Sequence, residues 1–257
     1  MERKHVPESE NRLIILYALR RLGSVTAMQL LQFLVEIDLM NYFTMQLALA
    51  DMQEQGQLTS RPHPLGDLIE MTPAGEYALD TFASRVPVSR RKAMDQAAPV
   101  WRQRFRAEQM APADSFVLQG GGCCLRLRLL EGSSALMQVL LTLPEEASLT
   151  FLQKRWHSAA QAVYDAITLS LSDGFQPSAP AAPLPASAVI QPSGPREWLL
   201  SLTDNPDKPT ITLLLTLADE RLAHHYAAAW PDKASALREL ILLKLREGLG
   251  DKEHTNH

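Results

Sequence analysis

The feature that most constrains the fold is a repeat inside the second half of the chain. Leu141-Thr142-Leu143 recurs as Leu215-Thr216-Leu217, an offset of 74 positions. At the same offset Leu125 matches Leu199, Glu146 matches Glu220 and Trp156 matches Trp230. Ala160, Ala162, Ile167, Leu169 and Leu171 match Ala234, Ala236, Ile241, Leu243 and Leu245. A self-match at fixed spacing means that one supersecondary unit is used twice. Each copy reads strand, turn, strand, helix, with no gap needed from Cys123 to Leu171. Met137, Val139, Leu141 and Leu143 fall on one face of a strand, and Ile211, Leu213, Leu215 and Leu217 do the same. The helices then bury Val163, Ile167 and Leu171, or Leu237, Ile241 and Leu245. The expected solution is α+β, a one-sided antiparallel sheet covered by helices. The matched Trp156 and Trp230 are expected in the core, with a ligand pocket as the alternative.

The first 84 residues carry a different order. Ser9 is a candidate N-cap for a helix with Leu13, Ile14, Leu16, Tyr17 and Leu22, stopped by Gly23. Thr26 and Gln29 form a capping-box pattern for a second helix with Leu30, Leu31, Leu34 and Ile37 on its stripe. A third helix runs from Asn41 to Gln55 and ends at Gly56. Leu58 to Arg61 and Leu68 to Met71 read as two strands around a turn containing Pro62, Pro64 and Gly66. Thr72-Pro73 opens a fourth helix, with Thr as cap and Pro at the first helical position. Three helices, a hairpin and a closing helix are the order of a winged helix-turn-helix. The expected division is therefore 1–84 winged helix-turn-helix, 85–110 basic helical connector, 111–174 first α+β repeat, 175–195 linker rich in Pro, Ala and Ser, 196–249 second repeat and 250–257 polar tail.

Charge sharpens the picture. The 257 residues carry a net charge of −4, which excludes a globally basic nucleic-acid binder but leaves room for a local patch. Residues 85–107 hold Arg85, Arg90, Arg91, Lys92, Arg102, Arg104 and Arg106 against Asp95 alone, interrupted by Pro99. Residues 1–84 hold six bases and eleven acids, and the third helix has no Lys or Arg. That helix is the one expected to enter the DNA major groove, and phosphate contacts need cations. It offers Asn41, Thr44 and Gln46 as base readers, because Asn and Gln pair with adenine edges. The candidate phosphate anchors are Arg20, Arg21, Arg61, His63, Arg85, Arg90, Arg91 and Lys92, the connector run also reading as a solvated helix face. Tyr42, Met45, Leu49 and Met52 form the expected core face of the third helix. Phe43 and Leu47 lie roughly opposite and mark a candidate partner interface, since exposed apolar patches usually mark partners.

Other chemistry finds little footing. Cys123 and Cys124 are the two cysteines and are adjacent, a spacing that neither staples a fold nor holds zinc. His224 and His225 point in different directions on a helix and lack a third ligand. Gly120-Gly121-Gly122 precedes a strand, not a helix, and reads as a turn. No catalytic residue, metal or cofactor is expected. An absent apolar run after Met1 and the lack of a long apolar stretch lead to the expectation of a cytoplasmic protein with no signal peptide and no membrane partner.

The runs Leu13-Ile14-Ile15-Leu16-Tyr17, Asn41-Tyr42-Phe43-Thr44-Met45-Gln46 and Thr72-Pro73-Ala74-Gly75, with Trp156 and Tyr164 downstream, resemble the domain of unknown function 4364 family over roughly residues 9–171. The resemblance implies a fold similar to winged-helix regulators and carries over no ligand or operator. The chain departs from it in the long Pro/Ala linker and in Arg238, where the first copy has Tyr164. The expected function is a homodimeric winged-helix regulator that binds DNA, with a C-terminal part that dimerises or senses a small-molecule effector. The alternative is a protein-interaction module on the same fold, anchored by Phe43 and Leu47.

Overall fold

The computed structural model describes residues 8–119, 121–132, 134–144, 149–178 and 183–247. Gly120 of the glycine run, Glu146 of the repeat, residues 179–182 of the Pro/Ala/Ser stretch and the tail 250–257 lie outside the described residues, as do Met1 to His5. The fold is mixed α+β, with two antiparallel sheets, and divides into units Met1–Gln109 and Met110–His257.

The first unit contains α1 (Glu8–Leu22), β1 (Val25–Thr26), α2 (Ala27–Glu36), α3 (Tyr42–Glu54), β2 (Leu58–Arg61), β3 (Leu68–Met71), α4 (Pro73–Phe82) and α5 (Val88–Met110). Local chemistry sets most of these boundaries. Ser9 falls inside the first turn of α1 rather than capping it. Thr26 Oγ1 accepts from Gln29 N–H while Gln29 Oε1 accepts from Thr26 N–H, so the reciprocal capping box starts α2. Thr72 accepts from Gly75 N–H, with Pro73 at the first position of α4. The three strands pair in the order β1-β3-β2. Ile14, Ile15, Leu16, Leu30, Phe33, Leu34, Met45 and Met52 form the fully enclosed core beneath them.

The segment expected as a connector belongs to this core. α5 runs unbroken through Pro99 and buries Met94, Ala98 and Phe105 against the same apolar cluster. Trp101 meets Phe33 edge-on at 6.2 Å and lies 5.2 Å from Phe105. Its charge run is the solvent side of a helix whose other side is packed, as an amphipathic helix requires.

The second unit contains β4 (Ala113–Val117), β5 (Cys123–Glu131), β6 (Ser134–Leu143), α6 (Leu149–Ser172), β7 (Ala188–Gly194), β8 (Glu197–Thr203), β9 (Ile211–Leu217) and α7 (Glu220–Arg246). Its sheet runs β4-β5-β6-β9-β8-β7. Each repeat is therefore strand, strand, strand, helix. The first strand of the second copy, β7, falls within the residues expected as linker. β6 and β9 pair antiparallel with Met137 opposite Leu215, Val139 opposite Leu213 and Leu141 opposite Ile211. Since 139 and 213 are themselves equivalent, the approximate two-fold axis of the repeat passes between Val139 and Leu213. The two tryptophans are fully buried at matched places in one core.

The ungapped alignment needs one correction. Leu125 pairs with Leu141, and the residue that pairs with Leu215 is Leu200, not Leu199. A bulge between Leu129 and Leu130 gives the first hairpin one extra residue. Without that shift Leu125, which is buried, would correspond to Leu199 on the opposite face, because a one-residue slip reverses every side chain of a strand.

Candidate nucleic-acid interface

α3 starts where Asn41 caps it: Asn41 Oδ1 accepts from Thr44 N–H at 3.0 Å. The side-chain oxygen expected to read a base is thus engaged in holding the helix, and its amide N–H groups remain. Met45, Ala48, Leu49 and Met52 face the core. Tyr42 does not join them. It lies in the first helical position, is half exposed and meets the Phe43 ring edge-on at 5.5 Å. The helical wheel misplaced it because the first turn projects past the edge of the core; its position directly after the cap was the available signal.

The outer side of α3 is open. Phe43 is 77% and Leu47 73% exposed, one turn apart, with Thr44 and Gln46 partly accessible beside them. Gln53 Nε2 donates to Ser60 Oγ at 3.1 Å and ties the C-terminal half of α3 to the β2–β3 hairpin. That hairpin brings in Arg61 and His63. Arg61 bonds Glu70 on the neighbouring strand at 3.0 Å, and His63 Nδ1 accepts from Leu65 N–H within the turn.

The other expected anchors are dispersed and mostly paired. Arg20 bonds Asp80 at 2.6 Å. Arg21 donates to the Tyr17 hydroxyl at 2.9 Å and contacts Asp95 at 2.7 Å. Hydrogen bonding to Tyr17, opposed by burial and reinforced by Asp95, pushes its guanidinium above the ordinary arginine value. Arg90 bonds Glu10 at 2.8 Å. Arg91 is partly buried, Arg85 lies over the Phe82 ring at 4.6 Å, and Lys92 is exposed.

The helical geometry of α1 separates these groups. Arg12 of α1, which sequence reasoning passed over, reaches α3 through Asp51 at 2.5 Å and Gln55 at 3.0 Å. Glu10, Tyr17 and Arg21 of α1 reach α5 through Arg90 and Asp95. Relative to Arg12, Tyr17 and Arg21 lie about 140° and 180° around the helix at roughly 100° per residue. α3 and α5 therefore flank α1 on opposite sides, and Arg90, Arg91 and Lys92 do not converge on α3. Only Arg61 and His63 are carried to its side by the hairpin.

In the second unit His225 Nε2 lies 3.0 Å from the Asp173 carbonyl, and its ring is 5.3 Å from Phe175. Burial pushes the Cys124 thiol up, opposed by Arg126, so it is a poor nucleophile. No helix is long and apolar enough to cross a membrane, and no three metal-binding side chains cluster among the described residues. No curated protein and no solved structure matches the chain. The profile of the family described as Domain of unknown function (DUF4364) matches residues 11–171, more than half of the sequence, and the chain belongs to that family.

Proposed function

We propose that the first unit is a winged helix-turn-helix, with α2 and α3 as the helix pair and β2–β3 as the wing, and that the chain regulates transcription by binding duplex DNA. The observation that carries this reading is the open outer side of α3 beside the tethered hairpin. Its chemistry suits base edges better than phosphates. Gln46 pairs with adenine, Thr44 hydrogen-bonds either partner, and Phe43 packs on a thymine methyl. Exposed ion pairs such as Arg20–Asp80 and Arg61–Glu70 contribute about 0–1 kcal/mol, so their arginines exchange carboxylate for phosphate at little cost. Few anchors per unit mean that affinity depends on two units acting together, with the second unit supplying the dimer or the effector site.

A second reading has its own observation. Phe43 and Leu47 form an apolar ridge on a helix without a cation, and the α5 cations lie on the other flank of α1. Both features favour a winged helix that binds a partner protein through that ridge.

The two readings separate in a titration of the full chain with a random-sequence duplex, followed by fluorescence anisotropy across salt. About two phosphate contacts per unit give a slope of log K against log salt near −2 per unit and near −4 per dimer. Arg61→Ala lowers the magnitude by about one per unit. Binding no tighter than about 100 μM at low salt, with a flat slope, removes the DNA reading, because non-specific phosphate contacts alone reach that range.

A further inference from the structure

The two edges of the six-stranded sheet are equivalent by the repeat but chemically unequal. On β4, Arg128 N–H donates to Pro112 O and Leu118 N–H to Gly122 O, both at 3.0 Å. Antiparallel ladders alternate, so residues 112, 114, 116 and 118 turn their backbone groups toward β5. Ala113, Ser115 and Val117 then point N–H and C=O outward. On β7, Thr203 N–H donates to Ser187 O at 2.8 Å, which makes Ala188, Ile190 and Pro192 the outward residues. Strand pairing makes them the counterparts of Ala113, Ser115 and Val117.

The second edge is closed. Ala188 N–H is donated to Pro185 O at 3.0 Å, Pro192 has no N–H, and the strand is irregular between Pro192 and Gly194. One outward donor, Ile190, is left. These are the devices that blunt an edge strand. β4 has none of them. It contains no proline, lysine or bulge, and Phe116 and Val117 are 43% and 73% exposed. Its single charge, Asp114, is held by Arg126 and Arg128 of the same chain at 2.5 and 2.9 Å.

We propose that two copies of this chain associate through β4, antiparallel about a two-fold axis at Ser115, joining their sheets into one. Three outward residues centred on Ser115 pair completely with themselves. Ser115 faces Ser115 of the second copy, and Ala113 faces Val117 of the second copy. On the outer face, Asp114 of each copy lies opposite Phe116 of the other. Arg126 lies over that ring at 5.8 Å within its own chain. Each carboxylate thus approaches a guanidinium of the other copy, and no like charges stand opposite. This self-complementarity selects a second copy over an unrelated strand. It rests on the homodimer part of the function proposed above and not on DNA binding.

The test is the mass of the full chain in solution without DNA, by sedimentation velocity across concentration. The expected species is a dimer of the 28.6 kDa chain. Ser115→Pro removes an N–H that β5 does not use, and weakens the dimer at least tenfold. Ile190→Pro, at the matched position of the closed edge, leaves it intact. Directly opposed residues of a hydrogen-bonded pair have Cα atoms about 5.5 Å apart, within disulfide reach. Ser115→Cys therefore cross-links the two copies on mild oxidation, and Val117→Cys does not. That cross-link decides the matter if Ser115→Pro loses its circular dichroism. A monomeric wild type, a dimer indifferent to a folded Ser115→Pro, or equal cross-linking at both positions overturns the proposal. Loss of DNA binding with the dimer retained counts against the DNA reading alone.

Discussion

The repeat supplies its own control for the value of one buried hydrogen bond. Trp156 and Trp230 are both fully enclosed at matched positions of α6 and α7. Trp156 donates its indole N–H to the Arg128 carbonyl at 2.9 Å. Trp230 Nε1 is buried without an acceptor among the described residues. Replacing either by Phe removes the same atoms, so the transfer and cavity costs cancel to first order in the comparison. What differs is the polar part. Trp156→Phe leaves the part-buried Arg128 carbonyl without this donor, at about 1–3 kcal/mol with the lost bond included. Trp230→Phe instead removes a stranded donor and relieves a penalty of similar size. Trp156→Phe should therefore be the more destabilising by about 2–6 kcal/mol, the lower end applying if the Arg128 carbonyl relaxes toward another donor. Urea unfolding monitored by circular dichroism reads this directly from the midpoints, provided the slopes agree. Equal losses, or a larger loss at Trp230, would refute the argument that the two indoles differ in hydrogen bonding.

Two further outcomes follow from local geometry. A Cβ at Gly75 would lie 2.4 Å from Gln57 O and 2.9 Å from Met71 Cγ; that carbonyl also accepts from Thr72 N–H. Gly75→Ala gains about 1 kcal/mol of helix propensity but overpacks against backbone at about 1–3 kcal/mol. The first unit should thus lose stability and melt several degrees lower by calorimetry, and a raised melting temperature would mean that α4 does not seat on that carbonyl. At Asp204, burial acts to raise the carboxyl, but hydrogen bonds from the Thr210 hydroxyl and from the Ile211, Thr210 and Asn205 backbone outweigh it and hold it below the ordinary carboxylate range. A depressed folded value stabilises above the unfolded value of about 3.9 and fades as pH falls through the folded one. Asp204→Asn should therefore be less stable than wild type at pH 7, with a gap that narrows in acid; a pH-independent gap removes the electrostatic explanation.

Much of the second unit was legible because its signals are local. Met137, Val139, Leu141 and Leu143 alternate and are buried as the period-2 pattern requires, and the Trp, Ile and Leu matches of the helices hold position by position. The capping residues Thr26 and Thr72 were equally readable, since a cap is a bond between near neighbours. β4 and β7 escaped notice because a short edge strand needs little apolar alternation, and Pro192 and Ser193 gave β7 the composition of a linker. The basic run of α5 hid Met94, Ala98 and Phe105 behind its charge. In the candidate site, the openness of Phe43 and Leu47 followed from the helical wheel, whereas the exposure of Tyr42 and the capping role of Asn41 depended on where the helix begins.

The sequence by itself determined the starts of α2 and α4, the inward faces of β6 and β9 and the existence of two copies of one unit. Each depends on residue types a few positions apart or on a fixed repeat, and periodicity records both. Only the tertiary structure decided the one-residue bulge that restores the repeat, the membership of α5 in the first core, and the separation of the basic helix from α3 by α1. It also decided which sheet edge is open. These depend on which distant groups meet and on whether a given N–H is already engaged, and no pattern along the chain specifies that.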